Sequence, residues 1–340
     1  MTIRWEPLRP ILAQNQRFVI SSHVRPDADA IGSEIGLARV LQMLGKTVQI
    51  INTSPTPPNL QFLDPSHEVK QLGTGASIAD VVSADVHFIV DTSSWTQLSD
   101  VGKAMRQSVA CRVVIDHHVS SDDLGAHEFK DTDSPATGSL IFELSQFLGV
   151  TLPPDAATAL FAAIATDTGW FRFPAVTSRT MRIIGELMDV GASPSNVFRS
   201  LYEQASLAKM QLAGRAFSRM VVCCAGELAY TMIPLSDFQE FGAVSSDTED
   251  LVNECLKISG TKAAFIAIET QNRQVKVSFR SRISSVDVAH VAEQFGGGGH
   301  RLAAGATLSG PYSDSLVKVL QAMTVAVEGA RSVANTLTDS

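Results

Sequence analysis

The sequence predicts an α/β protein of two domains: an N-terminal domain built on a parallel sheet, a helical connector, and a smaller α+β domain. Three observations carry this. A chain of 340 residues exceeds one ordinary core. In its first half, short apolar runs rich in β-branched residues alternate with polar clusters and helix-spaced segments, the pattern of βα units. In its second half, strand-like runs flank a hairpin turn before helical and glycine-rich segments. The expected bounds are 1–195, 196–222 and 223–340.

The expected strands of the first half are Phe18–Ser22, Val48–Asn52, His87–Asp91 and Arg112–Asp116. Between the first two, Ile35, Leu37, Ala38, Val40, Leu41 and Leu44 form an apolar stripe at the 3.6-residue period, predicting a helix over Ser33–Leu44 that Gly45 ends. The Ala-rich stretch Asp155–Thr166 reads as a buried helix and Thr180–Met188 as an amphipathic one. Gly191 to Pro194 breaks the pattern, and Asn196–Met220 is helical again. Beyond it, Leu228–Ile233, Ala263–Glu269 and Gln274–Arg280 read as strands, with Gln271-Asn272-Arg273 as the turn joining the last two. The chain then predicts a helix, a glycine cluster and a final helix.

Composition narrows the function. A hydrophobic fraction of 45% with 18% charged residues is that of a globular chain. No run of 18 apolar residues predicts a membrane span, and the N-terminal stretch lacks the apolar core of an export signal, so a cytoplasmic protein without a membrane partner is expected. Four cysteines, Cys111, Cys223, Cys224 and Cys255, form no C-x-x-C pair, which gives no support to a cysteine zinc site or a disulfide framework. A net charge of −8 disfavours a protein that grips long nucleic acid through phosphate neutralisation. Any nucleic-acid substrate is expected to be short.

Three of the expected strands run directly into acidic or histidine residues: His23 with Asp27 and Asp29, Asp91, and Asp116-His117-His118. Ligands of open α/β sheets bind at the carboxyl ends of strands, so these clusters converge on one edge. Asp167, at the end of the Ala-rich helix, is placed to join them. Taken singly, Asp29 reads equally as a helix cap, Asp91 as a loop carboxylate and His117 as a solvated histidine. Together, Asp27, Asp29, Asp91 and Asp167 in one crevice would repel strongly unless protonated or neutralised, and two divalent cations cancel four carboxylates. Carboxylates and imidazoles without thiolates favour Mn²⁺ or Mg²⁺ over structural zinc. Two such ions about 3.5–4 Å apart suit phosphoryl transfer.

The segment from His23 to Ser33 (HVRPDADAIGS), Asp91 after a strand, Asp116-His117-His118 and Asp167 resemble the four motifs of the DHH phosphoesterases. Gly297, Gly298 and Gly299 directly before His300, extended by a fourth glycine at 296, together with Ala303-Ala304-Gly305, resemble the signature of the associated DHHA1 domain. The resemblance spans nearly the whole chain and is nearest to the nanoRNase and pAp-phosphatase branch. It implies hydrolysis of oligoribonucleotides a few residues long to nucleoside 5′-monophosphates, and of 3′-phosphoadenosine 5′-phosphate to AMP. It implies one metal on His23, Asp27 and Asp91 and a second on Asp29, Asp91, His117 and Asp167, with His118 on the scissile phosphate and Asp116 orienting a neighbour. Short RNA and phosphorylated nucleotides are the expected partners, and a homodimer is left open.

The glycine cluster also reads as a flexible connector. Glycines directly before a helix, however, expose N–H groups that cradle phosphate. With Arg280 and Ser281 ending a strand of the same domain, Gly297, Gly298, Gly299 and His300 are the expected substrate-binding residues. Trp170 and Phe171, just after Asp167, are expected to pack in the core rather than stack on a base. The alternatives weighed are a cyclic di-AMP phosphodiesterase and a metal-dependent nucleotide sensor without turnover. The C-terminal glycine motif disfavours an inorganic pyrophosphatase.

Overall fold

Six strands of the N-terminal half pair in one sheet, and every pairing is parallel. They are β1 (Arg17–Ser21), β2 (Thr47–Asn52), β3 (Val69–Gln71), β4 (Val86–Val90), β5 (Cys111–Asp116) and β6 (His127–Lys130), in the order β3-β2-β1-β4-β5-β6. A computed structural model describes residues 3–338, with side chains as far as 331. It divides the chain into two compact units, one ending at Gln204 and one beginning at Ala205.

The continuous apolar runs of β1 and β4 follow from burial on both faces of the sheet. Phe18, Ile20, Phe88, Val90, Val113 and Ile115 point into one core, and Val19, Ile51, Ile89 and Val114 into another. The first core is closed by helices α1 (Leu8–Gln14), α2 (Ala28–Met43), α5 (Thr137–Leu148), α6 (Pro154–Asp167) and α7 (Ser178–Val190), the second by α3 (Ile78–Val82) and α4 (Trp95–Met105). The unit ends with α8 (Pro194–Tyr202).

Helix α2 begins five residues before the expected start at Ser33. Its N-cap is Asp27, whose Oδ1 accepts the N–H groups of Asp29 and Ala30 at 3.0 and 3.1 Å. The cap reading given to Asp29 therefore belongs to Asp27. Gly45 follows the last turn with φ +75°, the left-handed conformation that suits glycine beyond a helix end. Against α6, a Cβ on Gly32 would collide with the Ala159 carbonyl and lie 2.9 Å from the Ala163 Cβ. The small faces of α2 and α6 thus let two helix backbones meet closely behind the sheet edge, which holds Asp29 and Asp167 near each other.

The stretch 196–222, expected as a connector, contains α8 and α9 (Leu207–Ser218), which fall in different units. The C-terminal sheet comprises β7 (Val221–Cys223), β8 (Leu228–Ile233), β9 (Ala263–Glu269), β10 (Gln274–Ser281), β11 (Gly298–His300) and β12 (Ala303–Ser309), in the order β11-β12-β10-β9-β8-β7. It is mixed: β8 and β9 are parallel, the other pairs antiparallel. Helices α12 (Val288–Glu293) and α13 (Tyr312–Thr338) close one face, and α9 with α11 (Leu251–Cys255) closes part of the other. A short helix, α10 (Leu235–Phe241), follows β8.

One expectation fails here. The glycine cluster does not lead into a helix: Gly298–His300 is an edge strand paired with β12, and the helix comes only at Tyr312. A Cβ on Gly297 would strike the Gly305 carbonyl and lie 2.6 Å from the Ala306 Cβ, so strand packing is what excludes a side chain there. No described helix is long and apolar enough to cross a membrane.

Candidate metal centre

The strand order reverses between β1 and β4, and the carboxyl end of an open parallel sheet at such a reversal is where ligands bind. Strand β1 leads into His23 and Asp27, β4 into Asp91, and β5 ends on Asp116 ahead of His117 and His118. Asp167 is the last residue of α6. The fold brings all six expected metal residues to this edge.

His23 Nε2 lies 3.4 Å from Asp91 Oδ2 and 3.8 Å from Asp27 Oδ1. His117 Nε2 lies 3.4 Å from Asp167 Oδ2, 3.6 Å from Asp91 Oδ1 and 3.8 Å from Asp29 Oδ2. Both rings have Nδ1 on a backbone carbonyl, His23 on Val24 at 3.0 Å and His117 on Ser134 at 3.1 Å. An Nδ1–H donated to that carbonyl leaves the Nε2 lone pair directed at the carboxylates, the tautomer that metal ligation requires. Three sets have ligand atoms close enough to share an ion: His23, Asp27 and Asp91; Asp29, His117 and Asp167; and Asp91, His117 and His118. Asp91 recurs in two of these sets, with one oxygen toward each imidazole. It adopts φ +60°, a backbone conformation uncommon outside glycine that aspartate and asparagine tolerate best.

Asp29 is buried and held by groups without a sequence signature. Its carboxylate accepts the N–H groups of Thr137 at 2.7 Å and Gly138 at 2.8 Å, the first turn of α5, and the Ser33 hydroxyl at 3.1 Å. A carboxylate from α2 thus caps α5, whose own N-cap residue, Ala136, has no side chain for the purpose. Thr137 also donates its hydroxyl to Asp91 Oδ1 at 3.0 Å. Behind β1, the fully buried Glu34 accepts from Asn52 Nδ2 at 2.9 Å, and Asn52 Oδ1 accepts the Ser22 N–H at 3.0 Å. Burial pushes the Glu34 carboxyl up to about 8, so it stands as a neutral acid in the wall behind His23. Sequence reading missed Glu34, Asn52 and Thr137; a glutamate between Ile31 and Ile35 on a buried helix was the one available sign.

The electrostatics show how much negative charge the cluster gathers. Burial, then repulsion from Asp91, Asp167 and Asp27, pushes Asp29 well above the ordinary carboxylate range. Burial likewise raises Asp167 to about 6, against the pull of His117. Burial works against a charged His23, yet its bonds to Asp27 and Asp91 outweigh it and raise the ring to about 11. Without added cations, protons must balance these charges. Hard oxygen donors, correctly oriented imidazoles and excess negative charge fit divalent metal ions.

This sets a pH dependence. Raised carboxylates stabilise the metal-free fold below their unfolded pKa near 4, a contribution lost as pH rises through about 6 for Asp167. The raised His23 contributes fully below about 6.5 and loses its share toward about 11. Both make the metal-free protein less stable as pH rises, while metal binding needs those protons gone. The gap in Tm between divalent-loaded and EDTA-treated protein is therefore expected to widen between about pH 5.5 and pH 8. A gap that narrows over that range would mean that these groups do not take the ion.

His118 is half exposed and its Nδ1 is bound to Asp116 Oδ1 at 2.8 Å. Asp116 is buried and also accepts the His118 N–H at 3.1 Å and the Ser93 hydroxyl. Burial would raise its carboxyl, but the bonds from His118 and Ser93 outweigh that and hold it at about 2. The His118 imidazole is raised by its bond to Asp116, with burial opposing. Its Nε2 edge is left to meet a ligand. Trp170 and Phe171 are partly buried at the margin of the core: both pack edge-on against the buried Phe161, and Trp170 also against the exposed Phe198 and Tyr202.

In the C-terminal unit, the antiparallel register sets His300, Ala303, Arg280 and Ala264 in one row across four strands. Gly298, Gly305, Ser278 and Ile266 form the next row. A cavity of about 300 Å³ opens beside Arg280, Ser278 and Lys276. Ser281 departs from this group: it is buried on the opposite face, its hydroxyl donating to the Ile283 carbonyl at 2.8 Å. Its place is at the strand's closing turn.

Residues 17–164 match the model for the DHH family, N-terminal domain, and residues 226–328 match that for the DHHA1 domain. The bifunctional oligoribonuclease and PAP phosphatase NrnA of Bacillus subtilis is 30% identical over 85% of this chain and 88% of its own length. The protein of the same description from Thermus thermophilus is 30% identical over 94% of each chain. A crystal structure of an exopolyphosphatase-related protein from Bacteroides fragilis shares the fold, with TM-score 0.81 at 23% identity, covering 96% of this chain and 97% of that one.

Proposed function

The chain belongs to the DHH family of phosphoesterases, and we propose that it hydrolyses short oligoribonucleotides and linear dinucleotides to nucleoside 5′-monophosphates, and 3′-phosphoadenosine 5′-phosphate to AMP. The observation that carries this reading is Asp91, with one carboxylate oxygen toward His23 and the other toward His117. His23, Asp27 and Asp91 would hold one cation, and Asp29, Asp91, His117 and Asp167 a second; Mn²⁺ suits this donor set, with Mg²⁺ able to replace it. When bound, the ions supply a low-pKa water as nucleophile and neutralise the phosphoryl oxygens.

The chain's own residues do the rest. His118, fixed by Asp116, presents Nε2 to the scissile phosphate, and Asp116 holds the ring without entering the reaction. Asp29, anchored on the first turn of α5, keeps its place while charge shifts in the site. Arg280 and His300 would bind the non-reacting end of the substrate, with Gly297, Gly298 and Gly299 leaving room for it. In domain terms, 1–195 would be catalytic, 223–340 substrate-binding, and 196–222 the helical region that joins them.

A net charge of −8 disfavours a long basic groove, so longer RNA is expected to gain few further contacts. Turnover is expected to fall steeply beyond about two to five nucleotides. Initial rates on pAp, pApA, cyclic di-AMP and labelled RNAs of five and about twenty nucleotides, each with Mn²⁺, Mg²⁺ or Zn²⁺, test this directly. Degradation of the longest RNA as fast as pApA would replace the reading with a general exonuclease, and preference for cyclic di-AMP with a cyclic-dinucleotide phosphodiesterase. Binding of all of them without turnover would mark a sensor.

A further inference from the structure

We propose that Lys130 is a positioning residue that holds His118 in place through Asp116, an assignment that rests on the reading of His118 as the group facing the scissile phosphate. Lys130 ends β6 as Asp116 ends β5, and the parallel register pairs these two residues directly. Paired residues of neighbouring strands project to the same face, so the lysine stem runs alongside the carboxylate. Its Nζ lies 3.2 Å from Asp116 Oδ2, and it donates to the Ser120 carbonyl at 3.0 Å. Lys130 is only 14% exposed and Asp116 is fully buried, so water screens the pair little.

These contacts close a ring around the segment that carries His117 and His118. Asp116 Oδ1 is engaged by the backbone and ring of His118, and Oδ2 by Ser93 and Lys130. Lys130 then reaches past the histidines to Ser120, four residues after Asp116. The carboxylate is held on both oxygens and the segment at both ends. Without the ammonium, Oδ2 retains only the Ser93 hydroxyl and the Ser120 carbonyl loses its donor. The carboxylate can then rotate, and the His118 ring turns with it. His117 has a separate tether on Ser134, so the metal ligand is disturbed less than His118.

The test is a double-mutant cycle on a generic diester, bis(p-nitrophenyl) phosphate, which does not depend on the natural substrate. Lys130→Met is expected to lower kcat about tenfold with KM within about twofold, and Lys130→Arg to recover most of the loss. In a His118→Ala background the same Lys130→Met change is expected to cost less than about twofold, because the group it positions is already gone. An equal loss in both backgrounds, or Arg no better than Met, overturns the proposal. A second readout needs no turnover. In Mg²⁺-loaded protein with ¹⁵N-labelled histidine, the slowly exchanging Nδ1–H signal assigned to His118 is expected to broaden in Lys130→Met and return in Lys130→Arg. An unchanged signal refutes the assignment. Should Lys130→Met not fold, Lys130→Gln is read in the same way. A wild type that hydrolyses no phosphodiester defeats the functional reading, and the spectrum alone then decides on Lys130.

Discussion

Asp91→Asn is expected to lower turnover by roughly a thousandfold or more, about 4 kcal/mol of transition-state stabilisation, while changing the stability of the fold little. The two effects have different origins. Asparagine tolerates the left-handed conformation that Asp91 adopts, and its amide oxygen can still accept the Thr137 hydroxyl. What it loses is the charge and the second oxygen that would serve a second cation. In the metal-free protein Asp91 is one of the groups that push Asp29 and Asp167 up, so removing its charge relieves repulsion. The change also removes Asp91's charge from His23, so the two effects oppose: thermal melts in EDTA should show only a small change in Tm, while the stabilisation by added divalent cation should shrink sharply. A variant that keeps more than about a tenth of wild-type turnover would rule out Asp91 as the shared ligand. A variant that loses activity together with its fold would place Asp91 in the scaffold instead.

The separation of site from scaffold follows what the sequence made legible. Strands β1, β4 and β5 were readable because burial on both faces demands continuous β-branched runs, and each run stops at the residue that turns toward the ligand edge. The six residues that meet at this edge were legible because charge is placed so rarely at such strand ends. Strand β6 was invisible: only Phe129 of its four residues is buried, which leaves no period to detect, and Lys130 was hidden with it. Strands β11 and β12 were missed because glycine and alanine fill positions where β-branched residues would have marked a strand. The start of α2 was misplaced because its first turn, from Ala28 to Gly32, packs by being small rather than by being apolar at a helical period. The anchoring of Asp29 uses backbone N–H groups of Thr137 and Gly138, which every residue but proline carries and which therefore leave no sequence signature.

The second large effect is expected at Arg280, which should separate substrate capture from chemistry. Arg280 projects from β10 on the face it shares with Ser278, half-exposed, and its one internal hydrogen bond runs from Nη1 to the neighbouring Phe279 carbonyl at 2.9 Å. Among the described residues no carboxylate pairs with it. The guanidinium lines a cavity with Lys276 and Ser278, opposite Glu249 and Asp250, and without a carboxylate at ion-pair distance its fork suits a phosphate. Its removal should cost the fold little, since β10 is paired on both sides, with β12 and β9, without help from this side chain. Losing a charge-assisted contact of about 1.5–3 kcal/mol corresponds to roughly 10- to 150-fold in kcat/KM. Arg280→Ala is therefore expected to lower kcat/KM for pApA by roughly that factor, and for bis(p-nitrophenyl) phosphate, which has no second phosphate to hold, by less than about threefold. Lys at this position should fall between the two, because it keeps the charge and loses the fork. Kinetics on both substrates at saturating Mn²⁺, alongside Tm, decide the matter. Equal losses on the nucleotide and the generic diester would mean that Arg280 supports the catalytic centre or the fold, and that the substrate's far end is bound elsewhere.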